Sequence, residues 1–437
     1  MVIRDLLADF DMTAAGAEMH RLATELYPIC RSITGMGVRK TLQIVQRSVP
    51  LRIHEVSTGT KVFDWEVPRE WNIRDAYIAD SAGKRVVDFN DHNLHVLNYS
   101  TPVRTKVSRK ELGEHVFTLP DKPDLIPYKT SYYRENWGFC MSQRQWDAMT
   151  DGEYEAVIDS SLEAGSLTYG ELFLPGDSDE EFLFSTHVCH PSLANDNLSG
   201  IVLLGKLAEI LEEVDRRFSY RFLFVPGTIG SITWLAQNEA NLGKIRFGLV
   251  TACVGDSGRF TYKKSRRENA ETDRIVQYVL ERGQKQYSLR SFSPYGYDER
   301  QYCSPAFDLP VGHLSRTPHG QFEEYHTSAD NLSFITPEGL GGSLELFATV
   351  VSEVERSRYF RNLSPKGEPQ LGRRGLYSAM GGHRQSSERE MAMLWVLNLS
   401  DGHHATWDIA RQSGHPQELV EEVAEILRQH DLLEEVP

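Results

Sequence analysis

Three near-continuous apolar runs, EFLFSTHV at 181–188, YRFLFV at 220–225 and FGLVTAC at 247–253, alternate with stretches whose apolar residues recur at spacings of three and four. A strand that is apolar at nearly every position needs cover on both faces, whereas a half-exposed strand alternates. Amphipathic helices expected at 198–213, 231–240 and 272–282, with 337–356 closing the series, supply that cover. Residues 154–356 therefore read as an α/β layered domain, with a ligand site beyond the carboxyl ends of its strands.

At 437 residues the chain is too long for one ordinary core. Helices are expected at 14–26 and 37–47, joined by the turn YPICRSITGMG. Arg31 and Arg39 in and after that turn read either as structural salt bridges or as ligand contacts. From 62 to about 152 the helical spacing fades, and Trp65, Trp71, Tyr77 and Tyr99 sit among turn residues, which fits a small β-rich unit with strands at 76–78, 85–89 and 95–97. Residues 359–382, rich in Gly, Arg, Ser and Pro, read as a linker. Helices at 386–398, 406–412 and 415–430 then resemble a winged helix-turn-helix.

Composition removes several function classes. Lys and Arg number 47 against 62 Asp and Glu, a net charge of −15, which repels phosphate. The part most like a DNA reader is itself acidic: residues 366–437 carry seven basic and twelve acidic side chains, with Glu418, Glu421, Glu422 and Glu425 on the helix that would enter a groove. Nucleic acid is thus not the expected partner, and a packing, dimerising or docking role for the tail is preferred. No apolar run approaches the roughly 20 residues that span a bilayer, and the acidic start lacks the pattern of a secretory signal. Five scattered cysteines without paired spacing suit a reducing compartment, so a cytoplasmic protein is expected, without a membrane partner. No P-loop, GxGxxG after a strand or GxSxG elbow is present.

The segment richest in chemistry is STHVCHPSLANDNLSG, residues 185–200. An apolar strand ends in two histidines, and an Asn-Asp-Asn turn opens a helix. Imidazole nitrogens and carboxylate oxygens converging at a rigid strand end are what a divalent metal needs, so His187, His190 and Asp196 are candidate ligands. Asp256 follows a second strand end. Glu324, Tyr325, His326 and Asp330 lie in the loop EEYHTSADN before the last helix of the domain.

This order resembles that of the di-zinc aminopeptidases: a strand-end His, an Asn-Asp turn with Ser-Gly, a later Asp, and Tyr-His-Thr-x-x-Asp. Over nearly the full length the chain is similar to a bacterial family of aminopeptidase-like proteins often labelled polysaccharide-biosynthesis proteins. The matching segments include YPICRSITGMGVRKTL, DWEVPREWNIRDAYI, NLHVLNYSTPV, CHPSLANDNLSG, DERQYCSPAFDLPVG and EYHTSADN.

The resemblance implies a doubly wound, mixed-sheet core over 1–61 and 153–360, an inserted β domain over 62–152, and a linker with a winged helix over 361–437. It implies one or two zinc ions held by Asp196, one of His190 and His187 (His190 favoured), Asp256 and His326. Glu324 and Asp330 are the expected catalytic acids; Arg31, Arg39, Arg300 and Tyr325 the expected substrate contacts. The expected activity is metalloprotease-like hydrolysis of a peptide or other amide, an amino-sugar or natural-product intermediate included, by a chain able to form a homo-oligomer.

One departure stands out. Where the family usually reads Pro-Glu-Thr-Ile-Gly-Ser, this chain has Gly227 in PGTIGS, residues 226–231. Glycine can neither ligate metal nor move a proton through a side chain. Either another acid, Glu324 foremost, does that work, or the chain is a catalytically weakened metal-binding scaffold.

Overall fold

A computed structural model of the chain describes Ile3 and residues 10–283, 286–376 and 384–436. Residues 1–273 with 285–349 form one compact unit, and 274–284 with 350–437 a second.

The first unit is built on an eight-stranded mixed sheet. Its strands are β1 (Arg52–Ser57), β2 (Ser166–Leu174), β3 (Glu181–His187), β4 (Ser219–Val225), β5 (Ile245–Thr251), β6 (Phe260–Lys263), β7 (Tyr287–Arg290) and β8 (Val311–Ser315), in the order β1-β2-β4-β3-β5-β8-β6-β7. The central strands β4, β3, β5 and β8 are parallel, and β1, β2 and β6 add antiparallel pairings. All seven residues of β3 are buried, as its unbroken apolar run requires. Helix Ser199–Glu212 is buried on most of its surface, from Ser199 to Leu211. It can lie this close because Gly200 has no side chain: a Cβ there would stand 2.5 Å from Thr186 Oγ1 and 2.6 Å from Asn197 Oδ1.

A four-stranded antiparallel sheet in the order Arg85–Asp88, Glu70–Ala79, Glu153–Glu163, Val103–Ser108 makes up the β-rich insertion. Strand Glu153–Glu163, which sequence texture assigns to the core, completes this sheet. The expected strand at 95–97 is instead the end of a short 3₁₀ turn, Asn93–His95, followed by an isolated bridge from Val96 to Phe139. A segment this short obtains its backbone partners from the neighbouring loop. Trp71, Ala76 and Ile78 share one apolar cluster with Leu183, Leu223 and Trp234, so the insertion and the large sheet form a continuous core. Cysteines 30, 140, 189, 253 and 303 are free thiols.

The second unit pairs Asp401–Ala405, Tyr359–Asn362 and Leu433–Val436 in an antiparallel sheet beside helices Arg384–Leu399, Thr406–Ser413 and Gln417–Gln429. The stretch read as a linker thus supplies the central strand, and its residues 377–382 lie outside the described residues. Residues of helix Glu271–Gly283 belong here: Arg274 pairs with buried Asp408 at 3.0 Å, and Tyr278 donates to Gln417 at 2.8 Å. On the last helix, Glu421 and Glu422 pair with Arg356 and Arg389, and Glu425 with Arg358 and Arg428. No helix among the described residues is long and apolar enough to cross a membrane.

Candidate metal centre

The register places the site. His187 ends β3 and pairs with Val225 at the end of β4, while β5 ends at Thr251 on the other side. The Asn-Asp-Asn turn lies across these ends, and its three polar side chains divide their work. Asn195 donates to Asp256 Oδ2 at 2.9 Å and accepts from Gly255 N at 2.9 Å. Asn197 donates to Thr186 Oγ1 at 2.7 Å and accepts from Cys253 N at 3.4 Å. Asn195 binds the turn to the loop after β5, and Asn197 binds it to β3 and to that same loop. Asp330 holds it from the opposite side, accepting from Asn195 N at 2.6 Å and Asp196 N at 3.0 Å.

Only Asp196 is left facing inward, and three imidazoles converge on it. His187 Nε2 lies 2.8 Å from Oδ1, His190 Nδ1 3.4 Å from the same oxygen, and His326 Nε2 3.1 Å from Oδ2. The ligand-capable atoms of His187, His190 and Asp196 all lie within 4.8 Å of one another. Burial would raise the Asp196 carboxyl, yet the three histidines hold it well below its usual value. Burial also disfavours charge on His190, but Asp196 raises it above an ordinary imidazole. His187 and His326 are pushed down by burial despite Asp196. Imidazole nitrogens and a carboxylate are the donors zinc takes, and the two oxygens of Asp196 face different histidines. The residues present fit a metal.

The other expected residues lie elsewhere in the network. Asp256 does not join the cluster: Oδ1 accepts from Gly258 N at 2.6 Å and Thr317 Oγ1 at 2.8 Å, and Oδ2 from Asn195. Its acceptor sites are taken by loop donors, so it braces the turn. Arg31 is wholly buried and donates to the carbonyls of His190 at 2.8 Å and Leu26 at 2.7 Å, which fixes the backbone of a candidate ligand. Arg39 is committed to Glu55 and Glu70. Tyr325 stacks on His326 with ring centres 3.9 Å apart. Glu324 is half-buried, its carbonyl accepting from Thr327, and it is not among the clustered ligand atoms. Arg300 is half-buried, with Nε enclosed and without a partner among the described residues.

Sequence reasoning missed two contributors. Tyr128, from the β-rich insertion, meets His190 and His326 edge-on, each at 5.1 Å, and its N–H donates to the His326 carbonyl at 2.8 Å. That bond helps hold His326 at φ 53°, a left-handed conformation that a non-glycine residue keeps only where its surroundings impose it. The insertion therefore forms one wall of the site. Asp298 lies beside it, preceded by Tyr297, whose ring stacks on His187 at 4.7 Å. The place of Asp298 within the DERQYC segment is the available sequence signal.

A family model described as a domain of unknown function (DUF4910) matches residues 20–357, and a winged helix-turn-helix model matches residues 358–435. The chain belongs to the DUF4910 family. A Clostridium acetobutylicum protein, provisionally named a polysaccharide biosynthesis protein with an aminopeptidase-like domain, is 50% identical over 418 residues, 96% of each chain. A crystal structure from C. acetobutylicum, provisionally described as a peptidase, has a TM-score of 0.88 at 48% identity over 99% of both chains. The zinc aminopeptidase of Bacillus subtilis shares the fold at a TM-score of 0.57 and 12% identity, over 79% of this chain and 95% of its own. The core thus has the aminopeptidase fold, with a C-terminal winged helix.

Proposed function

We propose that the protein is a zinc-dependent hydrolase of peptide or other amide bonds. The observation that carries this reading is the buried carboxylate of Asp196, with imidazoles on both oxygens, at the carboxyl ends of parallel strands in an aminopeptidase-like fold. Asp196, His187 or His190, and His326 would hold the metal. Bound zinc would polarise the amide carbonyl and bring the pKa of water towards about 7. Asp330 orients the turn that carries Asp196, Arg31 fixes the backbone of His190, and Tyr128 and Tyr325 enclose the ring of His326. The enclosing aromatic wall favours a small substrate, such as a short peptide or an N-acylated amino sugar.

Hydrolysis of a panel of aminoacyl-anilides and N-acyl sugars with added zinc tests the proposal. The wild type is expected to turn over at least one member and Asp196→Ala none. A second reading, a metal-binding scaffold, is favoured by Gly227 alone. It prevails if zinc binds and neither the wild type nor Gly227→Glu hydrolyses any member.

The acids of helix Gln417–Gln429 argue against a DNA reader. Salt-sensitive retardation of a random duplex at low ionic strength would reverse that view.

A further inference from the structure

Gly227 lies two residues beyond Val225, the partner of His187 across the parallel ladder. A Cβ built on Gly227 would stand 3.0 Å from His187 Cβ and 3.5 and 3.6 Å from Oδ2 and Oδ1 of Asp298. A glutamate carboxylate reaches roughly 3 to 3.5 Å from its own Cβ, across two C–C bonds and one C–O bond. Asp298, arriving from another loop, thus presents its carboxylate at the distance an acid at 227 would reach.

The bonding of Asp298 is asymmetric. The residue is wholly buried, and Oδ1 accepts from Ser231 Oγ at 2.8 Å. Oδ2 is buried without a hydrogen-bond partner among the described residues. Buried polar oxygens are nearly always paired, so an unpaired one is a cost that a fold retains where the oxygen is used. The adjacent acid also has one oxygen, Oε2, buried without a partner among the described residues, but Glu299 Oε1 accepts from Lys263 Nζ at 2.8 Å, a buried ion pair, whereas Asp298 Oδ1 meets the neutral hydroxyl of Ser231. Stacking of Tyr297 on His187 holds the Asp298 segment against the histidine cluster.

We propose that Asp298 supplies the proton-accepting carboxylate that position 227 lacks. The inference rests on the hydrolase reading above. A water O–H bond breaks, its proton passes to Asp298 Oδ2, and the water oxygen bonds to the amide carbonyl carbon as the C=O π pair moves onto the carbonyl oxygen. When that pair re-forms the C=O bond the C–N bond breaks, the proton passes from Asp298 to the departing nitrogen, and the carboxylate is restored.

The full-length wild type, Asp298→Asn, and Gly227→Glu combined with Asp298→Asn are compared by calorimetric titration with zinc. The zinc-loaded proteins are then titrated with acetohydroxamic acid, a probe that binds metal while giving its proton to a nearby carboxylate. Asp298→Asn is expected to keep zinc affinity within threefold and to bind the hydroxamic acid at least tenfold more weakly. Its kcat on any hydrolysed amide should fall by about 10²- to 10⁴-fold, the usual contribution of a general base. The double variant should regain part of both losses. Unchanged hydroxamic acid affinity in Asp298→Asn overturns the proposal alone and leaves the hydrolase reading standing. Loss of zinc from Asp298→Asn overturns it in favour of a ligand. Failure of the wild type to bind zinc overturns both. A wild type that binds zinc yet hydrolyses no amide offered overturns the hydrolase reading and, with it, the proposal that rests on it. If neither variant gives a cooperative melt, Asp298 is a structural acid and the proposal falls.

Discussion

Two charged clusters in the first unit are built to opposite rules. Around Arg39 the donors and acceptors are closed on one another. Its guanidinium meets Glu55 at 2.8 and 3.0 Å, Glu70 at 2.6 and 2.7 Å, and Ser166 Oγ at 2.9 Å. Glu55 also accepts from Thr168, and Glu70 from Asn72 and the Ser166 amide. Around Asp196 three imidazoles share two oxygens, and each ring can exchange its proton for a metal. The first cluster ties the second helix to β1 and β2. The second is held rigid by Asn195, Asn197 and Asp330 while its own bonds stay replaceable. Bracing uses groups whose charge is fixed; binding uses groups whose protons can leave.

The sharpest way to break this contrast is Asp196→Ala. Zinc affinity is expected to fall more than about a hundredfold, beyond the range for residues that only support ligands. Calorimetric titration checks it, and a tight-binding Asp196→Ala protein would remove the basis for the metal centre. Asp330→Asn probes the support. An amide can accept from one of the two backbone N–H groups but not both in the same way, so the turn carrying Asp196 should loosen. The expected loss of zinc affinity is about 10- to 100-fold with little change in thermal stability.

Arg39→Ala should act the other way round. Zinc affinity is expected to stay within twofold, while stability falls by about 2 kcal/mol, below the range for a fully buried pair because the network is partly solvated. Urea unfolding measures it. If Arg39→Ala instead raised KM for a hydrolysed substrate without destabilising the chain, the substrate-contact expectation would be restored.

The features legible in the sequence were those with one physical cause. Unbroken apolar runs have few alternatives to covered strands, so β3, β4 and β5 fall within two residues of expectation at each end. Short strands such as β6 and β7 carry four residues each and no clear period, and they depend on pairing partners distant in the chain. At the site, His187, His190 and Asp196 lie in one short segment and His326 and Asp330 in another, so the sequence can offer them together as candidates. Asp256 has the right residue type at a strand end, but loop donors at 258 and 317 claim its carboxylate. Arg31 and Arg39 look alike in sequence. One is fixed by carbonyls and the other by carboxylates, a difference that arises only when β1, the insertion and the helix after the turn come together. Tyr128 is separated from His326 by almost two hundred positions, and no local pattern signals that meeting.

The smallest expected effect separates the clusters by pH. Arg39 draws the Glu70 carboxyl down to about 2; burial opposes this, and Asn72 and the Ser166 amide assist. Glu55 is also lowered, its burial outweighed by Arg39, Ser166 and Thr168. A carboxyl depressed in the folded state contributes stability fully above its unfolded value, near 4.5, and loses it as pH falls towards about 2. The stability difference between the wild type and Glu70→Gln should therefore be constant at pH 6 to 7 and shrink by about 1 kcal/mol between pH 5 and 3, after allowing for solvent screening. Melting curves of both proteins, without metal, across that range supply the test. In the histidine cluster burial opposes charge on His190 but Asp196 raises its imidazole above the ordinary value, so zinc must displace a proton there, and zinc affinity should begin to weaken on acidification at a higher pH than for an ordinary histidine. A Glu70→Gln difference that stays flat down to pH 3 would mean that the Arg39 network is more open than its bonds imply, and the division between bracing and binding charge would fail on the bracing side.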